Sequence, residues 1–307
     1  MISVVIPLYN KEKNIKDTVN SVLNQTYENF ELIIVNDGST DGGVEVVNKI
    51  NDSRIKLFNQ LNKGVSSARN VGINNSKYEL IALLDGDDLW DETYLEKMIQ
   101  LTVDFEHASL YGCASYFRWP NKLITESTYG LELGYRGYLN NYFEIACENT
   151  LYNSTSVVFK KKDFLEIGSF NENFTKGEDI DLWIRFALHK KTVFYNVPLT
   201  YYILDAPNRA GKIIVLKEKS LIWNLNKYDS FTKTHTQLKK FIDSWKLAHI
   251  TNYLKGESTE VDDIKELLMN LDLRKLSLFY RVLYYLPKFA HRPFYNLWQK
   301  KKSLTNA

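Results

Sequence analysis

Four short apolar, β-branched runs open the chain, at residues 2–8, 31–35, 54–58 and 79–84. The segments between them carry apolar residues at helical spacing. Ile15, Val19, Val22 and Leu23 make one such face, and Val44, Val47 and Ile50 a second. Strand and helix alternating roughly every 25 residues predict βαβ units and a parallel sheet. The stretches ELIIV and IALLD have almost no polar interruption, as expected of strands covered on both faces.

Residues 1–105 are therefore expected to form a Rossmann-like half of an α/β fold. Beyond them the pattern changes. Residues 110–118, 154–159, 192–197 and 199–204 predict further strands, broken by two helices near 161–167 and 179–189. Residues 121–138, rich in Gly, Tyr and Thr, predict loops or hairpins, so 106–210 reads as a mixed-sheet half. From Lys212 the chain is almost wholly helical in pattern, with apolar groups such as Leu238, Phe241, Ile242 and Trp245. A boundary near 210 follows, with a helical region over 211–307.

In an open α/β sheet, ligands lie beyond the carboxyl ends of the strands. The first strand ends in Pro7-Leu8-Tyr9-Asn10, the second in Asn36-Asp37-Gly38-Ser39-Thr40-Asp41, the fourth in Asp85-Gly86-Asp87-Asp88. Parallel strands would put an aromatic ring, an acidic turn and a carboxylate cluster on one rim. Asp85 and Asp87, two apart in an extended segment, would point to the same side. Such carboxylates repel unless a positive group lies between them, and a hard divalent ion meets that need. The competing reading makes Asp87, Asp88 and Asp91 caps of the following helix. In the NDGSTD turn, Thr40 or Asp41 suits a helix cap, whereas Asp37 is an acceptor suited to an imide N–H such as that of uracil.

Two more clusters stand out. Glu178, Asp179 and Asp181 crowd a helix N-terminus, which the helix dipole alone would favour. The functional reading is a general base whose proton affinity its neighbours raise. In Gly64-Val65-Ser66-Ser67-Ala68-Arg69-Asn70-Val71-Gly72, Arg69 suits either a phosphate or an ion pair with an acidic turn, and the small residues suit close packing on the sheet.

Composition excludes other classes. With 307 residues, 44% hydrophobic and 25% charged, the chain is neither disordered nor too small for a large core. A net charge of +2 gives no argument for a nucleic-acid partner. Two cysteines, Cys113 and Cys147, provide neither a disulfide framework nor a four-cysteine zinc site. No apolar run reaches the roughly 18 residues of a membrane span. The start, MISVVIPLYN, lacks signal-peptide features, so the expected setting is cytoplasmic. Neither Gly-x-Gly-x-x-Gly nor a Walker loop follows the first strand, which argues against a dinucleotide-dependent oxidoreductase.

At these residues the sequence resembles the family 2 glycosyltransferases of GT-A fold. VVIPLYN, NDGSTD, GVSSARNVG, LLDGDDLW and GEDIDLW occur in that family's order over residues 1–190, and the FKKKDFLEIGSFNENF stretch is similar too. The resemblance implies inverting transfer from a nucleotide-diphosphate sugar, most often a UDP-sugar, with Mn or Mg. It implies that Pro7, Tyr9 and Asp37 hold the uracil, and that Asp85 lies near ribose and metal. Asp87 would be the main metal ligand and Asp179 the catalytic base. Arg69 would lie near the nucleotide, with Glu178 and Trp183 in acceptor or supporting roles. Many relatives carry an Arg-x-His segment after the Glu-Asp motif. Here residues 201–209 hold no His, leaving Asp205 or Arg209 as candidates for that contact. A processive synthase would carry membrane helices and Gln-x-x-Arg-Trp, whereas Arg118-Trp119 follows Ser115. The rival reading is a catalytically silent nucleotide-sugar or glycan-binding protein of the same fold, which fold alone does not separate.

The tail stands apart. Residues 273–307 hold eight Lys/Arg, eight aromatics and no Asp or Glu, while the first 272 residues carry a net charge of −6. Leu276, Phe279, Tyr280, Leu283 and Leu286 recur at helical spacing among Arg274, Lys275, Arg281 and Lys288. Such a segment suits the inner leaflet of a membrane as a peripheral anchor, or a helix packed on the protein itself. The resemblance implies a saccharide or lipid-linked acceptor, in bacterial surface-polysaccharide synthesis.

Overall fold

The computed structural model describes residues 1–119, 122–126, 130–147, 149–204, 215–256, 263–269 and 271–305. The chain divides into two compact units, Met1–Gly211 and Lys212–Ala307.

The first unit begins with β1 (Ile2–Leu8), α1 (Ile15–Leu23), β2 (Phe30–Asp37), α2 (Gly43–Asn48), β3 (Ile55–Gln60), α3 (Val65–Asn74) and β4 (Leu80–Leu83). It continues through β5 (Leu89–Trp90), α4 (Tyr94–Asp104), β6 (Leu110–Trp119), β7 (Lys122–Glu126), β8 (Arg136–Tyr138) and α5 (Tyr142–Ala146). It ends with β9 (Val157–Lys160), α6 (Lys161–Glu166), α7 (Glu178–His189) and β10 (Thr192–Ile203). These strands form one mixed sheet in the order β3-β2-β1-β4-β9-β6-β10-β5, with β7 on β6 and β8 on β10.

Strands β3, β2, β1 and β4 run parallel, so the expected common rim exists at the ends of β1, β2 and β4. Antiparallel β9 then joins this half to β6, which pairs in parallel with β10. Every residue of β2 is buried. On one face, Val4, Ile6, Leu32 and Ile34 pack in a core with Ile15, Val19 and Val22 of α1. Each such side chain, fully buried, contributes about 1.5–3 kcal/mol. On the other face α3 lies close to the sheet, because a Cβ at Gly72 would stand 2.4 Å from Cγ1 of Val5.

Three expectations need correction. The strands expected at 192–197 and 199–204 are one strand, β10, which shifts register against β6 on either side of Pro198. Proline has no N–H for the ladder, and an irregularity there lets the strand continue past it. Helix α2 ends at Asn48, leaving Ile50 outside. Residues 85–88 form a turn instead of an extended segment, closed by the Asp88 N–H donating to the Asp85 carbonyl at 3.1 Å.

The second unit contains α8 (Asp229–Thr232), α9 (Thr236–Lys255), α10 (Ile264–Met269), α11 (Leu278–Tyr285) and α12 (His291–Thr305), with short 3₁₀ turns before α8 and α12. Helix α9 buries Leu238, Phe241, Ile242, Ile250 and Leu254, and stops at Gly256, whose φ of +81° suits a helix-ending glycine. Phe279 of α11 stacks on Phe294 of α12 at 5.6 Å and meets Trp298 at 5.4 Å. Part of the basic aromatic tail is thus packed on itself and on α9, where the Tyr280 hydroxyl lies 2.9 Å from Thr251 Oγ1 and the Arg292 guanidinium lies 4.8 Å from the centre of the Tyr253 ring. No helix among the described residues is long and apolar enough to cross a membrane.

Candidate active site

The rim is built from three loops that hold one another. Asn10, with φ +53°, receives its place from the NDGSTD turn. Its N–H donates to Ser39 Oγ at 3.2 Å, and its side-chain oxygen accepts the Thr40 N–H at 2.8 Å. Asp41 accepts the Gly43 N–H in the first turn of α2 and the Glu12 N–H, but the cap position itself is Gly42, so neither Thr40 nor Asp41 is the capping residue expected. Pro7 is half-buried and Tyr9 is 45% exposed, so the tyrosine ring stands at the surface of the crevice.

Asp37 is buried at the end of β2. One carboxylate oxygen accepts Gln60 Nε2 and the Lys63 N–H, and the other accepts the Gly64 N–H, all at 2.8 Å. Its carboxylate therefore fixes the loop that leads into α3. Two oxygens offer about four lone pairs, so three bonds leave room for one more donor.

The acidic turn after β4 divides its labour. Asp88 is buried and points inward, accepting Thr155 Oγ1 at 2.5 Å and the Ile203 N–H at 2.9 Å. Burial, followed by the charges of Asp87 and Asp85, pushes its proton affinity well up. Asp91 takes the helix-starting role, accepting the Thr93 N–H and hydroxyl. Only Asp85 and Asp87 remain at the rim, both half-buried. Asp87 lies 2.5 Å from Lys11 Nζ, and Asp85 lies 2.7 Å from Arg69. Lys11 has no counterpart in the sequence-based site, although a cation two residues past Tyr9, on a rim lined by carboxylates, was the signal.

Arg69 is buried, with 4% of its side chain exposed. Its second guanidinium nitrogen donates to Glu178 at 3.0 Å, and its plane lies over the Phe170 ring at 5.3 Å. Its buried Nε has no partner among the described residues. Burial opposes the charge, but Asp85 and Glu178 outweigh it and raise the proton affinity. Arg69 thus connects the end of β4 to the start of α7.

At that helix start Gly177 takes φ +78°, turning the chain so that Glu178 and Asp179 face the rim side of Arg69. Asp179 is half-buried and accepts the Ile180 N–H at 2.8 Å. Burial and the Glu178 charge push it up to about 7, against the opposing pull of Arg69. Asp181 is different: it is fully buried and paired with Arg185 at 2.9 Å. Trp183 is also fully buried, edge-on to Tyr152, and its indole N–H has no partner among the described residues. That placement suits support more than direct acceptor contact. Tyr142, on α5, feels the Asp179 charge. No sequence pattern had marked that tyrosine.

Asp85 and Asp87 are hard oxygen donors of the kind Mg and Mn take, with diphosphate and water completing the shell. Among the described residues no group of three or more His, Cys, Asp and Glu is arranged for a metal, so the protein's share would be these two carboxylates. Asp205 and Arg209, the candidates for the missing His contact, lie outside the described residues, as does part of the 121–138 loop.

Comparison with known proteins identifies the family and the fold. The model of the family described as glycosyl transferase family 2 matches residues 3–168. An Escherichia coli protein named UDP-Glc:alpha-D-GlcNAc-diphosphoundecaprenol beta-1,3-glucosyltransferase is 32% identical over 74% of this chain and 84% of its own. An uncharacterized glycosyltransferase of Rickettsia bellii is 36% identical over 61% of this chain but only 26% of its own length. This chain thus spans about a quarter of that relative. The structure of Staphylococcus aureus TarS 1–349 in complex with UDP-GlcNAc superposes with a TM-score of 0.63 at 18% identity, covering 98% of this chain and 92% of the other. That likeness speaks to the GT-A fold.

Proposed function

The chain belongs to the family 2 glycosyltransferases, and from that premise we propose that it moves a sugar from a nucleotide-diphosphate donor, first of all a UDP-sugar, to a saccharide or lipid-linked saccharide with inversion at the anomeric carbon. One observation carries the reading. A half-buried carboxyl held near pH 7, Asp179, is tied through Glu178, Arg69 and Asp85 to the carboxylate turn of Asp87. A base and a diphosphate site therefore share one rigid connection.

In this reading residues 1–105 take the nucleotide and 106–210 take the acceptor. Tyr9 and Pro7 pack on the base, and the remaining capacity of Asp37 accepts the uracil imide N–H. Asp179 removes the acceptor hydroxyl proton as that oxygen bonds to the anomeric carbon and the bond to the diphosphate breaks. One displacement from the opposite face inverts the centre, which passes through oxocarbenium character. Asp87, with Asp85, would hold a Mn or Mg ion, which supplies positive charge for the departing diphosphate. A pKa near 7 suits the base, since about half of it is ionised at neutral pH and the ionised form is a strong proton acceptor.

The acceptor class and setting rest on the name of the E. coli relative, which specifies UDP-Glc and a lipid-linked diphosphate sugar. We place the protein in bacterial surface-polysaccharide synthesis, in the cytoplasm against the inner leaflet. The tail supports the last point. Leu278, Tyr285, Phe289 and Leu297 are all more than half exposed, and Arg274, Lys275, Arg281 and Lys288 are exposed around them.

Thermal stabilisation by UDP, GDP and dTDP, each with and without Mn, tests the donor site, because a ligand of the folded state raises its stability. Stabilisation by UDP that needs Mn and disappears in Asp87→Ala is the expected result. The anomeric configuration of the product from a UDP-sugar screen, read by NMR, tests inversion. Nucleotide binding with no turnover on any sugar acceptor would favour a silent binding protein.

A further inference from the structure

Every carboxylate of the acidic turn has a partner within the protein. Arg69 neutralises Asp85 at 2.7 Å, Asp88 is sequestered by Thr155 and Ile203, and Lys11 meets Asp87 at 2.5 Å. The Lys11–Asp87 pair is well enclosed, with side chains 14% and 13% exposed. Lys11 is also held from behind. Its carbonyl accepts the Asn14 and Ile15 N–H groups at the start of α1, and its Cγ lies 3.5 Å from where a Cβ on Gly86 would stand. The stem thus runs along the one residue of the turn without a side chain, and the ammonium is delivered to the carboxylate proposed above to hold a divalent ion.

We propose that Lys11 is an exchangeable counter-ion of the donor site. It neutralises Asp87 while the site is without donor, and it leaves that carboxylate when a divalent cation arrives with the diphosphate, turning its ammonium to the phosphate oxygens. The physical ground is simple. A divalent ion and an ammonium cannot both sit at hydrogen-bonding or coordination distance on the same face of one carboxylate without strong repulsion. Displacing Lys11 costs its ion pair, and only a diphosphate offers the ammonium a new anion of comparable strength. Metal and nucleotide then bind cooperatively, each tightening the other by the same factor. A chain with no cation at position 11 would lack that coupling and hold the metal by itself.

This inference rests on the proposed metal-assisted donor site, and direct metal binding separates the two. Mn²⁺ alone is titrated by electron paramagnetic resonance into wild type, Lys11→Met and Lys11→Gln, and then again with UDP present. Thermal melts check that each variant is folded, and the Gln variant keeps a polar group should Met perturb the loop. The expected result is Mn²⁺ binding at least about tenfold tighter in both variants without UDP, with the enhancement by UDP correspondingly smaller. Mn²⁺ affinity that is unchanged or weaker in both variants, while still lost in Asp87→Ala, overturns the role of Lys11 and leaves the metal site standing. No Mn²⁺ binding by any of the proteins, with or without UDP, overturns both.

Discussion

Asp85 and Glu178, from opposite halves of the first unit, share the guanidinium of Arg69, at 2.7 and 3.0 Å. The arginine is buried against Phe170 and its charge is reinforced by both carboxylates, so it serves as the joint between donor turn and base helix. A Lys at this position is not equivalent, because one ammonium lacks the planar fork that reaches two carboxylates at once. Arg69→Met should cost about 3 kcal/mol, since removing one member of a buried ionic network leaves its partners uncompensated. Urea unfolding measures that loss.

The same substitution has a kinetic signature. Arg69 pulls the proton affinity of Asp179 down, against burial and Glu178, which push it up. Without the guanidinium the base should titrate at higher pH, and the acid limb of the kcat/KM profile should move upward in Arg69→Met relative to wild type. An unmoved limb would mean that Asp179 is not the group being titrated.

Wild type itself should show that limb near pH 7, with activity falling tenfold per pH unit below it. Asp179→Asn should lose at least about a hundredfold in kcat, within the range a positioned base provides. Its stability should change in the opposite sense. The folded-state pKa is raised to about 7 from the 3.8 of a free carboxyl, so between those values the native state holds a proton that the unfolded chain has lost. Stability of wild type therefore falls as pH rises through that window, and Asn removes the penalty. The expected finding is that Asp179→Asn melts higher than wild type at pH 8, and that the gap closes towards pH 4.

Asp37 shows how far the residues spoke for themselves. A carboxylate at a strand end before a glycine pointed to a ligand, yet it also carries the three donors of the 60–64 loop, whose approach to β2 no local pattern announces. Asp37→Asn should cost about 1–3 kcal/mol, because it turns one acceptor into a donor facing a backbone N–H. It should also weaken UDP binding by calorimetry. A loss of stability with unchanged UDP affinity would confine Asp37 to the loop.

The parallel strands and their common rim were legible because buried parallel strands leave unbroken apolar runs, as in β2. The turn at 85–88 was not, since its shape depends on Asp88 reaching Thr155 and Ile203 far along the chain. DGDD pointed to Asp85 and Asp87 but left open whether Asp87 caps the next helix, and the fold gives the helix start to Asp91 and leaves Asp87 against Lys11. Lys11 carries no such signal by itself, because a lysine after a strand is ordinarily a solvated charge. Only the fold brings Asp87 to it. Gly72 lies between these cases. Its small neighbours suggested close packing, and Val5 is the residue met. Gly72→Ala should overpack that contact and cost about 1–3 kcal/mol, seen as a lower melting temperature.

The tail gives the last prediction. On α11 the buried residues Phe279 and Leu283 face the small aromatic core with α12, while Leu278, Arg281 and Tyr285 recur on the outer face, continued by Lys288 and Phe289. Phe289 is 84% exposed and Tyr285 75%, an apolar strip bordered by positive charge with no acid in residues 273–307. Each basic residue near an anionic leaflet contributes about 1 kcal/mol, so Arg281→Gln with Lys288→Gln should weaken partitioning by about 2 kcal/mol, roughly thirtyfold. Co-sedimentation of the full-length protein with vesicles containing phosphatidylglycerol reads this. Wild-type binding should fall as salt is raised, because the attraction is screened. Equal binding to neutral and anionic vesicles, or none at low salt, would leave the strip without a lipid partner.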